Sequence, residues 1–467
     1  MTPLPDPAID APRDLPLDGP RRRRAIRDSI IAQMMGIIFP TLMRQAGLVS
    51  LVLIALAGEQ SELAIGVAFL IMQGAMLVRV FVAPLIDGVR AQRFMVRWIG
   101  VSAACSTLLL TGPLLGWLGQ PQLGVIAFLG ALLACFLAME VGGTAWFPLL
   151  HYIVPAPIRG RYFGSMRRAW QLTSLVAVFL CAQVLGDDPG YGRFAAVLAP
   201  AVLLQMGRVW FYSRLPDPPP ADPPPADMGP AAPGQAAGAA TRYEWRDILV
   251  PLRDRPFVQF VTFVLQVSIV QYAAVPFVVP FLRTELAFPA STTLYSTAGF
   301  GLGSALTLTA WGRLADRRGT RFVFLLGGLV AAGALSLVAV TPHYGSGPVP
   351  AAPCAVAAML LAGAGTAGVG IAYTVRLMRM APQRRMATYL NLSQAGIGLT
   401  AGLVTASMGA LLEALPPTVA LGGGPVLTFR LLFAAVGAGL LLVLVRLRRL
   451  PLQGEPPIWG RSRRRHP

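Results

Sequence analysis

The sequence predicts an all-α integral membrane protein of twelve transmembrane helices, arranged as two six-helix pseudo-symmetric halves. Three observations predict it. Of 467 residues, 55% are hydrophobic and only 13% charged, against roughly a quarter charged in a soluble domain. Apolar stretches long enough to span a bilayer recur along the chain, whose mean hydropathy is +0.61. The chain also repeats itself at a spacing of 226 to 229 residues, as between Asp28 and Asp254 or Asp87 and Asp316.

A helix needs about 20 mostly apolar residues to cross the hydrocarbon core. In the first half the expected spans are Ser29 to Leu56, Leu63 to Leu85, Phe94 to Leu118, Leu123 to Leu150, Ala169 to Leu185 and Phe194 to Tyr212. In the second they are Pro256 to Leu282, Ser291 to Trp311, Phe322 to Val340, Ala355 to Leu377, Tyr389 to Leu412 and Pro425 to Val445. Strands of a membrane barrel would alternate in polarity, and these stretches do not.

Charge placement predicts orientation. The net charge is +18 and every basic residue is arginine. Most arginines fall on the surfaces in phase with the N-terminus, including Arg21 to Arg24, Arg159, Arg161, Arg317, Arg318 and Arg463 to Arg465. Arg193, Arg283 and Arg430 fall on the other side, with Glu59, Glu62, Asp187, Asp188 and Glu285. Since cytoplasmic loops retain positive charge, both termini are expected in the cytoplasm and the chain in a bacterial inner membrane. The same argument absorbs the charge that could otherwise suggest a nucleic-acid partner. The N-terminus has no apolar core or cleavage site of a signal peptide.

The expected domains are a cytoplasmic tail, 1–28; a first bundle, 29–213; a Pro/Ala-rich linker, 214–250; a second bundle, 251–446; and a basic tail, 447–467. The linker reads PDPPPADPPPADMGPAAPGQAAGAA, in which proline removes donors and favours extended, solvated backbone.

The repeat is in register at three places. Asp28, Gln33 and Gln45 correspond to Asp254, Gln259 and Gln271. The loop APLIDGVRAQR, with Asp87, corresponds to WGRLADRRGTR, with Asp316. Gly143, Ala145, Trp146, Pro155 and Tyr162 correspond to Gly370, Ala372, Tyr373, Pro382 and Tyr389. Internal repeats of this kind mark transporter folds.

The second loop resembles the Gly-x-Leu-Ala-Asp-Arg-x-Gly-x-Arg signature of the major facilitator superfamily, matching at Gly312, Asp316, Arg317, Gly319 and Arg321. The first-half copy keeps Asp87 with Arg90 and Arg93, but has Ala83 and Arg90 where the signature has glycines. In this superfamily the better copy is usually the first, so the order is inverted. The resemblance implies that Asp316 latches onto the start of helix 5 near Arg168 and Ala169, and Asp87 onto the start of helix 11 near Tyr389, when the cytoplasmic side is closed. The alternative is that both loops only enforce topology.

Ionisable groups within a membrane cost about 2.5 to 3.5 kcal/mol on insertion scales and are functional candidates. Arg44 lies in expected helix 1 and Glu140 in helix 4, while Arg79 and Arg376 lie near enough to helix ends to snorkel outward. The resemblance implies a central cavity lined by helices 1, 4, 7 and 10, which would bring Arg44 and Glu140 together. Arg44 would then bind an anionic or zwitterionic solute, with Glu140 as counter-ion and candidate proton-coupling carboxylate. The alternative is a fixed structural salt bridge. Gln45, Trp146, Gln266, Gln271, Tyr272 and Tyr373 are the neutral binding candidates in those helices; each alone is equally a packing contact. Gly363, Gly365, Gly368 and Gly370 read as close helix packing.

Other chemistry is thin. His151, His343 and His466 are isolated, and Cys105, Cys135, Cys181 and Cys354 lie singly in apolar runs, so no metal site, cofactor or enzymatic activity is expected. Lysine is absent, which excludes a P-loop. The expected function is secondary active transport of a small organic solute by alternating access, as symporter or antiporter, by a monomer whose partners are solute, lipid and a coupling proton. The alternatives are a transporter-like assembly or scaffold factor and an exporter of the same superfamily. Helix 5 lacks the Gly-Pro-x-x-Gly-Gly pattern that the resemblance associates with proton-antiporting drug exporters.

Overall fold

The computed structural model describes residues 19–45, 47–58, 61–86, 89–217, 245–345, 350–381, 386–421 and 424–447. Asp87, most of the linker and both extreme tails lie outside the described residues, as does the side chain of Gln45.

The elements run as follows. α1 comprises Gly19–Pro40, a π-helical turn Thr41–Gln45 and Leu48–Ala57. α2 comprises Ser61–Gly74, the 3-10 turn Ala75–Leu77 and Val78–Ile86. α3 runs through Ala91–Thr107, Leu108–Leu110 and Thr111–Trp117. α4, Pro121–Gly143, is followed by the short helix Trp146–Ile153. α5 is Ala156–Leu185 and α6 is Tyr191–Ser213. A 3-10 segment, Trp245–Arg253, leads into α7, which comprises Arg255–Ala274, Val275–Phe277, Val278–Pro280 and the π-turn Phe281–Glu285. α8 is Ala290–Arg318, α9 Thr320–Ala339, α10 Ala351–Met380, α11 Met386–Ala414 and α12 Thr428–Arg446.

Eleven spans among the described residues are long and apolar enough to cross a membrane. The expected eighth span, Ser291 to Trp311, lies within α8 but is not one of them. Its run of Ser, Thr and Gly residues, ASTTLYSTAGFGLGS, makes it less apolar than the rest. A second departure from the all-α expectation is an antiparallel hairpin, β1 Thr418–Leu421 with β2 Gly424–Leu427, between α11 and α12.

α1 also begins ten residues before the expected Ser29, so Arg21 to Arg24 are helical. Cations are unfavourable at a helix N-terminus, but arginine is a good helix former and a buried acid draws these residues in. Asp28, 1% exposed, lies 3.9 Å from Arg24, 3.4 Å from Arg27 and 3.9 Å from Arg214.

Packing repeats the sequence symmetry. α1 packs on α5 and α6, α2 on α4, and α3 on α4 and α6. Likewise α7 packs on α11 and α12, α8 on α10, and α9 on α10 and α12. The halves meet along two symmetry-related seams, α2 with α11 and α5 with α8. Small residues allow the closest approaches: a Cβ at Gly303 of α8 would strike the Leu360 carbonyl of α10, and one at Gly363 the Phe300 carbonyl. Gly365 sits less tightly against Ala331 and Gly327 of α9 and Gly368 against the Trp311 ring of α8, whereas Gly370 faces open space.

Candidate functional site

The proline at position 40 lacks an N–H and disturbs the helix that carries it. The π-turn Thr41–Gln45 follows, and then Gly47 at φ 75°, a backbone conformation costly for any side chain. Arg44 lies in that interruption. The break meets a corresponding one in α7, since Gly47 packs against Val279.

Released from a regular helix, the Arg44 guanidinium reaches two helices at once. Its Nη2 donates to Glu140 Oε1 of α4 at 2.8 Å and to the Met72 carbonyl of α2 at 2.6 Å. It also lies over the Phe136 ring, 4.6 Å from the centroid, a favourable placement for a cation. The second oxygen of Glu140 faces Arg79 Nη2 at 2.5 Å. Glu140 is 1% exposed, while the Arg44 and Arg79 side chains are 17% and 28% exposed. One buried carboxylate is therefore held between two guanidinium groups, leaving an excess of one positive charge.

Arg79 corrects the sequence reading, which had it snorkel outward. The 3-10 turn Ala75–Leu77 just before it re-aims the last part of α2 toward α4. Arg376 is likewise buried, at 6% exposure, rather than extended outward.

The neutral candidates divide. Tyr272 joins the neighbourhood by accepting a hydrogen bond from Gln73 of α2 at 3.3 Å, and its backbone carbonyl accepts one from Thr405 of α11 at 3.0 Å. Tyr373 stacks on Phe260 at 6.2 Å and shares a 2.6 Å hydrogen bond with Ser393, within the second half. Trp146 packs on Tyr212 of α6, 5.8 Å between centroids. Gln266 lines a groove between α7 and α12 beside Arg446. Gln271 is half-buried on α7. Gln73, Met72 and Phe136 are the participants that sequence reasoning missed; the polar Gln73, six residues from Arg79 within one apolar helix, was the available signal.

The signature loop acts partly as a staple. Arg321 donates to the Leu447 carbonyl at the end of α12, at 3.2 and 2.9 Å. Its repeat partner Gln92, 229 residues earlier, donates to the Tyr212 and Ser213 carbonyls at the end of α6, both at 3.1 Å. Arg90 and Arg93 lie 3.8 and 3.0 Å from Asp217, just beyond α6. Gly319, at φ 84°, makes the turn between α8 and α9, while Gly312 has open space around its Cα. Asp316, Arg317 and Arg168 are exposed.

The repeat also recurs at the helix starts. Tyr162 of α5 shares a 2.8 Å hydrogen bond with Ser29 of α1, and Tyr389 of α11 donates to Asp254 before α7 at 3.3 Å. Burial pushes the Tyr162 phenol up to about 12, so it stays protonated at neutral pH.

Bonds between the halves gather at the face where α5 ends and α8 begins, here called the far face. There Arg283 meets Asp188 at 2.8 Å, the Ser291 amide donates to the Gly186 carbonyl at 2.9 Å and the Ala290 amide to the Asp187 carbonyl at 3.0 Å. Gln183 donates to Tyr295 at 2.6 Å and the Leu63 amide to Glu413 at 3.2 Å. Toward the opposite face, α5 and α8 diverge around a cavity of about 490 Å³ bordered by Thr41 of α1.

No protein-family model matches the chain. No curated protein matches it in sequence either. Solved structures do. A mutant of the nucleoside transporter NupG aligns with a TM-score of 0.68 at 13% identity, covering 91% of this chain and 99% of that one. The D-xylose-proton symporter aligns at 0.63 and 12%, covering 92% and 97%. A bacterial homologue of the iron transporter ferroportin in its inward-facing state aligns at 0.62 and 11%, covering 92% and 98%. These chains carry different solutes on one architecture, and at such identities the likeness speaks for the architecture alone. With its two repeated halves and its membrane-length helices, the chain has the fold of the major facilitator superfamily of transporters.

Proposed function

We propose that the protein is a secondary active transporter that moves a small organic anion or zwitterion across the bacterial inner membrane by alternating access, with both termini in the cytoplasm. The observation that carries the proposal is the Arg44–Glu140–Arg79 cluster at the interruption of α1. Broken helices at bilayer depth are a recurring way to build transporter sites. A cluster with two cations and one anion is one anion short of balance, and a solute carboxylate or phosphate can supply it through the planar guanidinium donors. Purely structural ion pairing would be satisfied by Arg44 and Glu140 alone.

The contacts between the halves support an inward-open state: the far face is closed and Asp316 is exposed instead of lying against the start of α5. Closing the cytoplasmic side would bring Asp316 toward Arg168. Glu140 is the carboxylate of the cluster and so the group through which a proton would couple.

The test is uptake into proteoliposomes, together with ligand-dependent thermal stabilisation of the purified protein, across anionic, zwitterionic, cationic and neutral solutes at two pH values. Stabilisation by anionic or zwitterionic solutes that is lost in Arg44→Ala supports the reading. No stabilisation by any class, together with co-purification of one stoichiometric membrane partner, would favour a scaffold instead. Loss of pH dependence in Glu140→Gln would assign the coupling proton to it.

A further inference from the structure

The two seams between the halves are related by the repeat, yet they are built differently. Along α2 and α11, glycines close the gap onto backbone: Gly66 on Thr405, Gly402 on Leu70, Gly409 on Glu62 and Gly398 on Gln73. Along α5 and α8 the gap holds the cavity of about 490 Å³, a volume within the range of small-molecule sites. Pseudo-symmetry alone would have filled both seams or opened both.

This cavity is a slot between two helices. On its far-face side the seam is held by the Gln183–Tyr295 hydrogen bond and the Phe179–Tyr295 ring contact, 5.7 Å between centroids. The Thr41–Ser174 hydroxyl pair, at 2.9 Å, forms part of its inner wall. Along its length the lining is mostly aliphatic, with Leu175, Val178 and Ala298 among the lining residues. It opens sideways between the helices, where Leu172, Leu302 and Leu306 are 67%, 37% and 68% exposed. Arg168 borders the end toward the signature loop, three residues inside the spanning segment Ser165–Leu185. From Arg168 to Val178 is ten residues of helix, about 15 Å at 1.5 Å per residue. That is about half of the roughly 30 Å hydrocarbon core, the depth of one leaflet.

We propose that the slot between α5 and α8 binds a single-chain amphipathic anion, a long-chain carboxylate that enters sideways from the bilayer with its chain along Leu175 and Val178 and its head at Arg168. The aliphatic wall and lateral opening suit one acyl chain. Arg168, at the end toward the signature loop, suits a carboxylate head. The inference goes beyond the transport of a polar solute and uses none of Arg44, Arg79 or Glu140.

The experiment is equilibrium binding of radiolabelled palmitate to the purified full-length protein in phosphatidylcholine nanodiscs, with octanoate, hexadecanol and phosphatidylglycerol as competitors. Saturable binding is expected, with octanoate and hexadecanol competing at least tenfold less well than palmitate. Arg168→Gln should weaken palmitate at least tenfold, toward the affinity of hexadecanol. Ala298→Phe should abolish binding by filling the slot, and Ala305→Leu gives a second, smaller filling if the first variant does not fold. Arg44→Ala should bind palmitate as the parent does, so failure here and failure of the transport reading are separate results. Absence of saturable binding, binding indifferent to both fillings, or equal competition by phosphatidylglycerol, which would make the occupant ordinary membrane lipid, would each overturn the proposal.

Discussion

Arg79 of α2 and Glu140 of α4 face each other at 2.5 Å, and this contact changes the charge of the buried site from neutral to positive. With Arg44 alone, Glu140 would make a balanced pair at 2.8 Å. The two arginines consequently have separable roles. Arg79→Ala should leave a folded protein, since the Arg44 pair survives, but should weaken anionic solute binding by tenfold or more. A binding titration beside a melting curve checks it: an unchanged affinity with a lowered Tm would make Arg79 a structural brace.

Glu140→Gln should behave in the opposite way. It leaves two guanidinium groups facing a neutral amide in a site where the parent side chain is 1% exposed. Removing one partner of a buried ion pair costs about 3 to 5 kcal/mol, so Tm and detergent-extracted yield should fall. Adding Arg79→Ala to Glu140→Gln should recover part of the loss, because one unpaired cation is removed.

The fold was legible because hydropathy, arginine placement and the repeat are properties of many residues at once. The Arg44–Glu140 contact was legible too, because charges in long apolar runs stand out and the family resemblance placed their helices around one cavity. Arg79 was not. Its aim depends on the 3-10 turn Ala75–Leu77, a local change of helical pitch that apolar periodicity does not encode. The same holds for the start of α1, where four consecutive arginines read as a tail until Asp28 is seen buried among Arg24, Arg27 and Arg214. The missing polar participants at the site, Gln73 and the Met72 carbonyl, depend on which face of α2 turns inward.

The signature loop should separate by residue under mutation. Arg321→Ala removes the donor to the Leu447 carbonyl and should lower stability by about 1 to 3 kcal/mol. Gly319→Ala places a Cβ at φ 84°, ψ 163°, a region close to glycine-only, and should cost about 1 to 3 kcal/mol. Gly312→Ala meets open space and should be tolerated. Asp316→Asn, at an exposed position, should spare abundance and Tm while reducing the maximal transport rate. Thermal melts and initial uptake rates on the four variants check the set, and unaltered uptake in Asp316→Asn would rule out the latch.

Helix packing gives a contrast within α8 and α10. Gly303→Val drives a side chain into the Leu360 carbonyl, whereas Gly370→Ala meets nothing within 4 Å. Overpacking of this kind costs about 1 to 3 kcal/mol and more against rigid backbone. Gly303→Val should therefore be recovered poorly from the membrane, and Gly370→Ala at parental yield. Equal yields would mean that the α8–α10 contact is looser than its geometry.

Asp187 and Ser291 offer the most direct test of alternating access, because their side chains touch across the α5–α8 seam at the far face and their neighbouring backbones are hydrogen-bonded. With those backbones hydrogen-bonded, a cysteine pair at these two positions should come within reach of a disulfide. On a background with Cys105, Cys135, Cys181 and Cys354 replaced by alanine, Asp187→Cys with Ser291→Cys should cross-link under mild oxidation. If the far face must open in each cycle, the cross-link stops uptake and a reducing agent restores it. A saturating solute that favours the opposite state should slow the cross-linking, since a ligand shifts an equilibrium by its differential affinity for the two states. Full uptake by the cross-linked protein would show that the far face stays shut throughout, and the rocking of the two halves would have to be abandoned.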